Sequence, residues 1–344
     1  MNSSKQLLSF REIELSFDNQ QIDVQLSGTL SLPQKKGKLP LVILFPSSGN
    51  VDRDSKFGSF KPFKIIAEYL ARNGFAVFRF DKRGIGKSTG DFASATEEDH
   101  IQDGCALVSF LKNCKEIDST CIGVVGHSEG GLISLGVASR SKDVSFVALL
   151  AGPVLPGREV SSLVFTLLVN EANTKKIDFE GDKRTFNRFF DLVSKDSLSI
   201  TERKECIEIG RKMLPRITDK TKGVMGFSEL TPDLFVDIFS IPWLHEFLSS
   251  KPETLLKHLS CPVLGIYGCK DVQVPIQNAK ALNEILKESE NTDYTVKEFV
   301  HANHLLQESV TGFPSEYLTN NQTIIPEILE LLSTWILERN KLST

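Results

Sequence analysis

The sequence predicts an α/β fold, with a mostly parallel central sheet flanked by helices and an inserted helical cap. Three observations lead there. Short apolar runs with little polar alternation recur along the chain, as strands covered on both faces require. Helical patterns separate them, and strand alternating with helix implies a parallel sheet. The rhythm lapses after Gly152-Pro153 and resumes at Pro262, so the simplest organisation is one core, residues 1–152 and 259–344, interrupted by an insertion over 153–258.

The elements follow in order. Phe10 to Phe17 and Ile22 to Leu32 alternate around Asp18-Asn19-Gln20-Gln21, which reads as an antiparallel pair at a sheet edge. Leu39 to Phe45, Phe75 to Phe80, Cys121 to Val125 and Val144 to Leu150 are the buried strands. Helical spacing over Phe60 to Asn73, Glu97 to Asn113 and Glu129 to Ser141 fills the gaps between them. Within the insertion, Phe186 to Val193, Glu202 to Met213 and Leu234 to Leu248 carry amphipathic helical patterns rich in Phe and Leu. Pro262 to Gly268 is again a strand, Ile276 to Glu288 a helix, Tyr294 to Val300 a strand and Ile325 to Asn340 a terminal helix.

Composition narrows the function classes. With 344 residues and a net charge of -4, the chain has no basic excess to neutralise a phosphate backbone, which argues against nucleic acid as a partner. No apolar run near the start suits a signal segment, and no stretch reaches the length of a membrane span. A cytoplasmic protein is the expectation, and a homodimer is left open. The six cysteines are scattered without metal-ligand spacing, so neither a metal site nor a disulfide framework is expected.

The sharpest local signal is GHSEGG, Gly126 to Gly131, between the strand CIGVV and the helix beginning near Glu129. A serine on a strained strand-to-helix turn needs glycines where side chains would collide with backbone. Ser128 is therefore the candidate nucleophile. It needs a base to take its proton and an acid to hold that base in the right tautomer. Asp271 follows the strand PVLGIYG within GCKDVQVP, and His304 follows the strand YTVKEFV within VHANHLLQ, the chain order and strand-end placement such a turn demands. His301 competes with His304 but abuts its strand end. His127 adjoins the nucleophile, and the turn is expected to point neighbouring side chains apart.

An oxyanion needs donors: the backbone N–H of Glu129, at the start of its helix, and that of Ser48, in the small-residue loop PSSGNVDRD. The segment FDKRGIGKSTG, Phe80 to Gly90, lacks phosphate-loop spacing and reads as a structural turn, with Asp81 and Arg83 bonding to neighbouring loops, Asp52 or Asp54 included. Phe165, Phe189, Phe235, Phe239, Trp243 and Phe247 are candidates to line an apolar pocket, with Phe239 and Trp243 foremost. Such residues at helical spacing are more often plain core.

Assembled, these pieces resemble the cap-bearing α/β-hydrolases that include bacterial carboxylesterases, relatives of serine aminopeptidases, dienelactone hydrolases and acyl-CoA thioesterases. SSGNVDRD, FDKRGIGKSTG, VVGHSEGG, LLAGPVLPG, IPWLHEFL, CPVLGIYGCKDVQVP and NHLLQESVTGFPSEY occur in the matching order from about Gly28 onward. The resemblance implies an α/β-hydrolase fold and hydrolysis of a small-molecule ester without cofactor. It implies a triad of Ser128, Asp271 and His304, with the amides of Ser48 and Glu129 as oxyanion donors. Many relatives begin the oxyanion loop with His-Gly, where this chain has Pro46-Ser47, and Asn50 stands for their proline. An aminopeptidase, an acyl thioesterase or an inactive binding module are the alternatives on the same scaffold.

Overall fold

The computed structural model describes residues 7–19, 23–171, 178–226 and 228–342. The expected turn residues Gln20 and Gln21, and Ile22 at the start of the second strand, lie outside them. Strands β1 (Phe10–Asn19) and β2 (Val24–Pro33) pair antiparallel, and β1 forms one sheet edge. There follow β3 (Leu39–Phe45), α1 (Pro62–Arg72), β4 (Ala76–Phe80), α2 (Glu97–Leu111), β5 (Ile117–His127), α3 (Glu129–Arg140) and β6 (Val144–Leu150). The helices α4 (Gly157–Leu168), α5 (Phe179–Val193), α6 (Ile200–Met213), α7 (Asp219–Met225), α8 (Pro232–Asp237), α9 (Pro242–Ser249) and α10 (Pro252–Leu256) come next. The chain then returns to the sheet as β7 (Val263–Gly268), α11 (Gln277–Lys287), β8 (Tyr294–Phe299) and α12 (Pro326–Leu342).

Among the described residues the strands form one sheet in the order β1-β2-β4-β3-β5-β6-β7-β8. β2 meets β4 antiparallel, and every pairing from β4 through β8 is parallel. All seven side chains of β3 are buried, which explains the uninterrupted apolar run LPLVILF in a central strand covered on both faces. Two apolar clusters sandwich the sheet. Leu41, Ile43 and Val124 belong to one, and Val42, Leu44 and Val125 to the other, the alternation that a two-residue strand period imposes. A third cluster, built on Phe165, Phe186, Phe189, Phe190 and Phe235, fills the helices between β6 and β7.

Two sequence expectations change. The pattern Leu234 to Leu248 is not one helix: α8 passes into a 3-10 turn, Ile238–Ser240, and α9 restarts at Pro242. Pro242 lacks an N–H, and Ile241 before it is extended with φ -66 and ψ 131, as a residue preceding proline prefers. β5 also begins at Ile117, earlier than its apolar run, because the polar stretch Asp118 to Thr120 still lies in the strand. No helix among the described residues is long and apolar enough to cross a membrane.

Candidate active site

Ser128 sits between the last residue of β5 and the first of α3, with φ 56 and ψ -126, a backbone conformation that costs energy for a residue with a side chain. The glycines around it are required by space. A Cβ at Gly126 would lie 1.9 Å from the Gly130 carbonyl oxygen, and one at Gly130 would lie 2.1 Å from that of Phe45. The turn can close only without those atoms, which is the physical content of the G-x-S-x-G spacing.

Asp271 follows β7, and its side chain is sealed from solvent. Its Oδ1 accepts the backbone N–H groups of Gln273 and Val274, each at 2.8 Å, so the loop locks the carboxylate. Its Oδ2 accepts from Nδ1 of His304 at 2.8 Å. A carboxylate acceptor puts the proton on Nδ1 and leaves Nε2 with its lone pair, the atom that a serine proton needs. The backbone around His304 is fixed by Asn303, whose Oδ1 accepts from the N–H of Leu305 at 2.9 Å and of Gln307 at 3.0 Å. The competing His301 is exposed, and it is His304 that Asp271 holds.

His127 departs from expectation. Its ring is not turned away from the site but lies 4.8 Å, centroid to centroid, from that of His304. Nε2 of His127 donates to the His304 backbone carbonyl at 2.7 Å. Burial, and then the neighbouring His304, push His127 down to about 3, so it is a neutral imidazole whose proton sits on Nε2. Sequence reasoning missed this contact because nothing in GHS reveals which way the first side chain points.

Ser48, Ser128 and Glu129 border one cavity of about 440 Å³. Its remaining wall is largely apolar and comes mainly from the inserted helices: Val164, Phe165, Phe239, Trp243 and Phe247 all face it. Phe189 and Phe235 do not. They stack on each other at 4.6 Å within the insertion's core. Glu129 is the single charged side chain on the wall among the described residues, and Lys82 stands 3.7 Å from its Oε2.

The FDKRGIGKSTG turn is held by ion pairs, but its partners differ from those expected. Asp81 is gripped by Arg53, with Nε at 3.2 Å and Nη2 at 2.7 Å, while its backbone donors come from Arg53 and Lys87. Arg83 forms a two-pronged pair with Asp103 at 2.8 and 2.9 Å and reaches Asp99 at 2.8 Å, both on α2. Asp54 pairs with Arg79 and Lys61 instead, because the guanidinium of Arg53 is the group that points at the turn. Among the described residues, no three of His, Cys, Asp and Glu gather as a metal site requires.

This geometry sits on a scaffold already known elsewhere. Residues 59–308 match the family described as serine aminopeptidase, S33. The chain belongs to that family of α/β-hydrolases. It is 26% identical over 330 residues to the esterase EstD of Thermotoga maritima, covering 94% of this chain and 68% of the relative. It is also 25% identical, over 78% of this chain and 88% of the relative, to an uncharacterized 31.7 kDa protein of the traX-finO intergenic region in Escherichia coli. Among solved structures, the Pyrococcus furiosus esterase Pf2001 superposes with a TM-score of 0.58 at 17% identity, over 96% of this chain and 91% of that one. Est1E from Butyrivibrio proteoclasticus, solved with ferulic acid bound, gives 0.54 at 17%, over 95% and 99%. At those identities the structures speak for the fold, and the family makes the chain a hydrolase.

Proposed function

We propose that this chain is a carboxylesterase that cleaves small esters through an acyl-enzyme on Ser128. The observation that carries this reading is the locked His304–Asp271 pair tied through His127 to the Ser128 turn, with Ser128 itself on the wall of a largely apolar cavity. Ser128 Oγ attacks the ester carbonyl carbon as Nε2 of His304 takes its proton, and Asp271 steadies the imidazolium that forms. The oxyanion accepts the N–H groups of Ser48 and Glu129. Collapse of the intermediate expels the alcohol, which leaves with the proton from His304, and water then releases the acid by the same route.

The cavity favours esters over peptides. A peptidase acting on a free amino terminus needs an unpaired carboxylate, whereas the single acidic group on the wall among the described residues already has Lys82 beside it. The esterase name of the Thermotoga maritima relative agrees. In this reading residues 153–258 act as a cap that sets substrate size. All six cysteines are free, which suits a reducing cytoplasm. A chain-length series of p-nitrophenyl esters run beside aminoacyl anilides tests the assignment: esters turn over, and Ser128→Ala abolishes both turnover and fluorophosphonate labelling. Anilide cleavage without ester cleavage overturns it.

A further inference from the structure

Lys82 occupies an unusual place for a lysine. It lies in the turn after β4, between Asp81 and Arg83, and is only 5% exposed. Burying an ammonium is costly unless its donors are placed well, and here the two polar contacts lead toward the catalytic turn. Nζ donates to the backbone carbonyl of Ser47 at 2.8 Å. It stands 3.7 Å from the carboxylate of Glu129 and 5.1 Å from the centre of the Phe92 ring. One side chain thus meets the carbonyl that precedes one would-be oxyanion donor, the Ser48 amide, and the carboxylate of the residue that carries the other, Glu129.

The Ser47 contact matters through peptide geometry. The Ser47 carbonyl and the Ser48 N–H belong to one peptide unit, and no cis bond occurs among the described residues. In a trans unit the two point in opposite directions, so fixing the carbonyl toward Lys82 aims the N–H away from it. Among the described residues no protein group accepts that N–H, while Ser48 borders the same cavity as Ser128. Arg53 and Asp54 anchor the far end of the loop, but at its near end Pro46 has no N–H and Gly49 sits at φ 82, so the Lys82 contact is the one that bears on the Ser47–Ser48 peptide. A positive charge on the carbonyl oxygen also polarises the peptide and strengthens its N–H as a donor.

We infer that Lys82 is the positioning residue of the oxyanion hole, orienting and polarising the Ser47–Ser48 peptide so that its N–H meets the developing oxyanion. It is absent from the cavity wall and so acts through that peptide, not on the substrate. The inference rests on the esterase reading, because the hole has a task only if an ester carbonyl is attacked by Ser128. It also shows how a loop beginning Pro46-Ser47 keeps its shape without the His-Gly found in many relatives.

The test is Lys82→Met, which keeps the length and removes donor and charge. Loss of one oxyanion donor lowers kcat by about 100- to 1000-fold, and misplacing it costs somewhat less. On p-nitrophenyl butyrate the expected result is a kcat lower by roughly 10- to 100-fold, with KM within about threefold of wild type. Affinity for an alkyl trifluoromethyl ketone, whose serine adduct carries the oxyanion, should fall by the same factor as kcat/KM, a change that a merely structural role would not produce. If the methionine variant folds poorly, Lys82→Leu likewise removes donor and charge with a smaller side chain and is read the same way. Unimpaired kcat in a folded variant, or a lost kcat with unchanged ketone affinity, overturns the inference. A wild type with no ester turnover sinks the esterase reading itself, an outcome distinct from either.

Discussion

The imidazole of His127 donates Nε2–H to the backbone carbonyl of His304 at 2.7 Å, tying the last residue of β5, next to the nucleophile, to the loop that carries the base. Two strand ends far apart in sequence are thereby set at a fixed separation. The base itself is gripped at Nδ1 by Asp271, but among the described residues it is the His127 contact that links its main chain directly to the Ser128 turn.

His127→Phe should therefore lower kcat by about 10- to 100-fold while leaving KM near its wild-type value, since displacement of a catalytic group by an ångström has effects of that size. His127→Asn keeps a donor and should recover part of the loss. Steady-state kinetics on a short p-nitrophenyl ester decide it, with a thermal melt to show that both variants fold.

Asp271→Asn makes a sharper prediction. The two amides on Oδ1 would keep the asparagine carbonyl oxygen in place and turn its NH2 toward His304. Nδ1 must then accept, the proton moves to Nε2, and the lone pair is lost. The kcat should fall by about 10⁴-fold, the cost of a wrong tautomer in a comparable triad, with little change in fold.

How much of this was legible beforehand depends on what kind of signal each residue leaves. Ser128, Asp271 and His304 stand out because each follows a readable strand in a fixed chain order, and the structure does bring the acid and base together. The sheet was legible for a related reason, since strands such as β3 are buried on both faces and write that into an unbroken apolar run. Lys82 and His127 were not legible. A lysine between Asp81 and Arg83 looks solvated, and only three-dimensional closure of the turn over the Ser47 carbonyl shows it to be buried. The break at Pro242 was readable in principle, but the continuous apolar spacing from Leu234 to Leu248 masked it.

The cavity separates aromatic residues by role. Trp243 faces it and is half-buried, whereas Phe235 is fully buried, does not reach it and packs against Phe165, Phe189 and Phe239. Trp243→Ala should move the preferred acyl chain to greater length, read as the ratio of kcat/KM for octanoate and butyrate esters, with a modest loss of stability. Phe235→Ala should cost about 3–5 kcal/mol, as truncating a core phenylalanine does, and leave that ratio alone. Phe239 belongs to both groups, so its truncation should change ratio and stability together.

The pH dependence of stability should have two limbs of opposite origin. Burial pushes His100 and His127 down to about 3. Between pH 6.5 and 3 the unfolded chain binds protons there that the fold excludes, so stability is lost as pH falls, by up to about 1.4 kcal/mol per pH unit for each histidine. Glu97 works the other way. Burial, together with Glu129, Glu246 and Glu98, pushes it up to about 7, and its backbone N–H already donates to a carboxylate oxygen of Glu246 at 2.7 Å. From pH 4.5 to 7 the fold keeps a proton that the unfolded chain releases, so stability declines as pH rises through that window. Above it, Glu97 carries a charge amid like charges at the junction of α2 and α9. Glu97→Gln removes that charge and should raise stability at pH 8 by on the order of 1–3 kcal/mol, with no gain at pH 4.5 and an unchanged acid limb. Melting temperatures of wild type and variant across pH 4 to 9 check it, and coincident curves at pH 8 would mean that Glu97 is not the source of the alkaline loss.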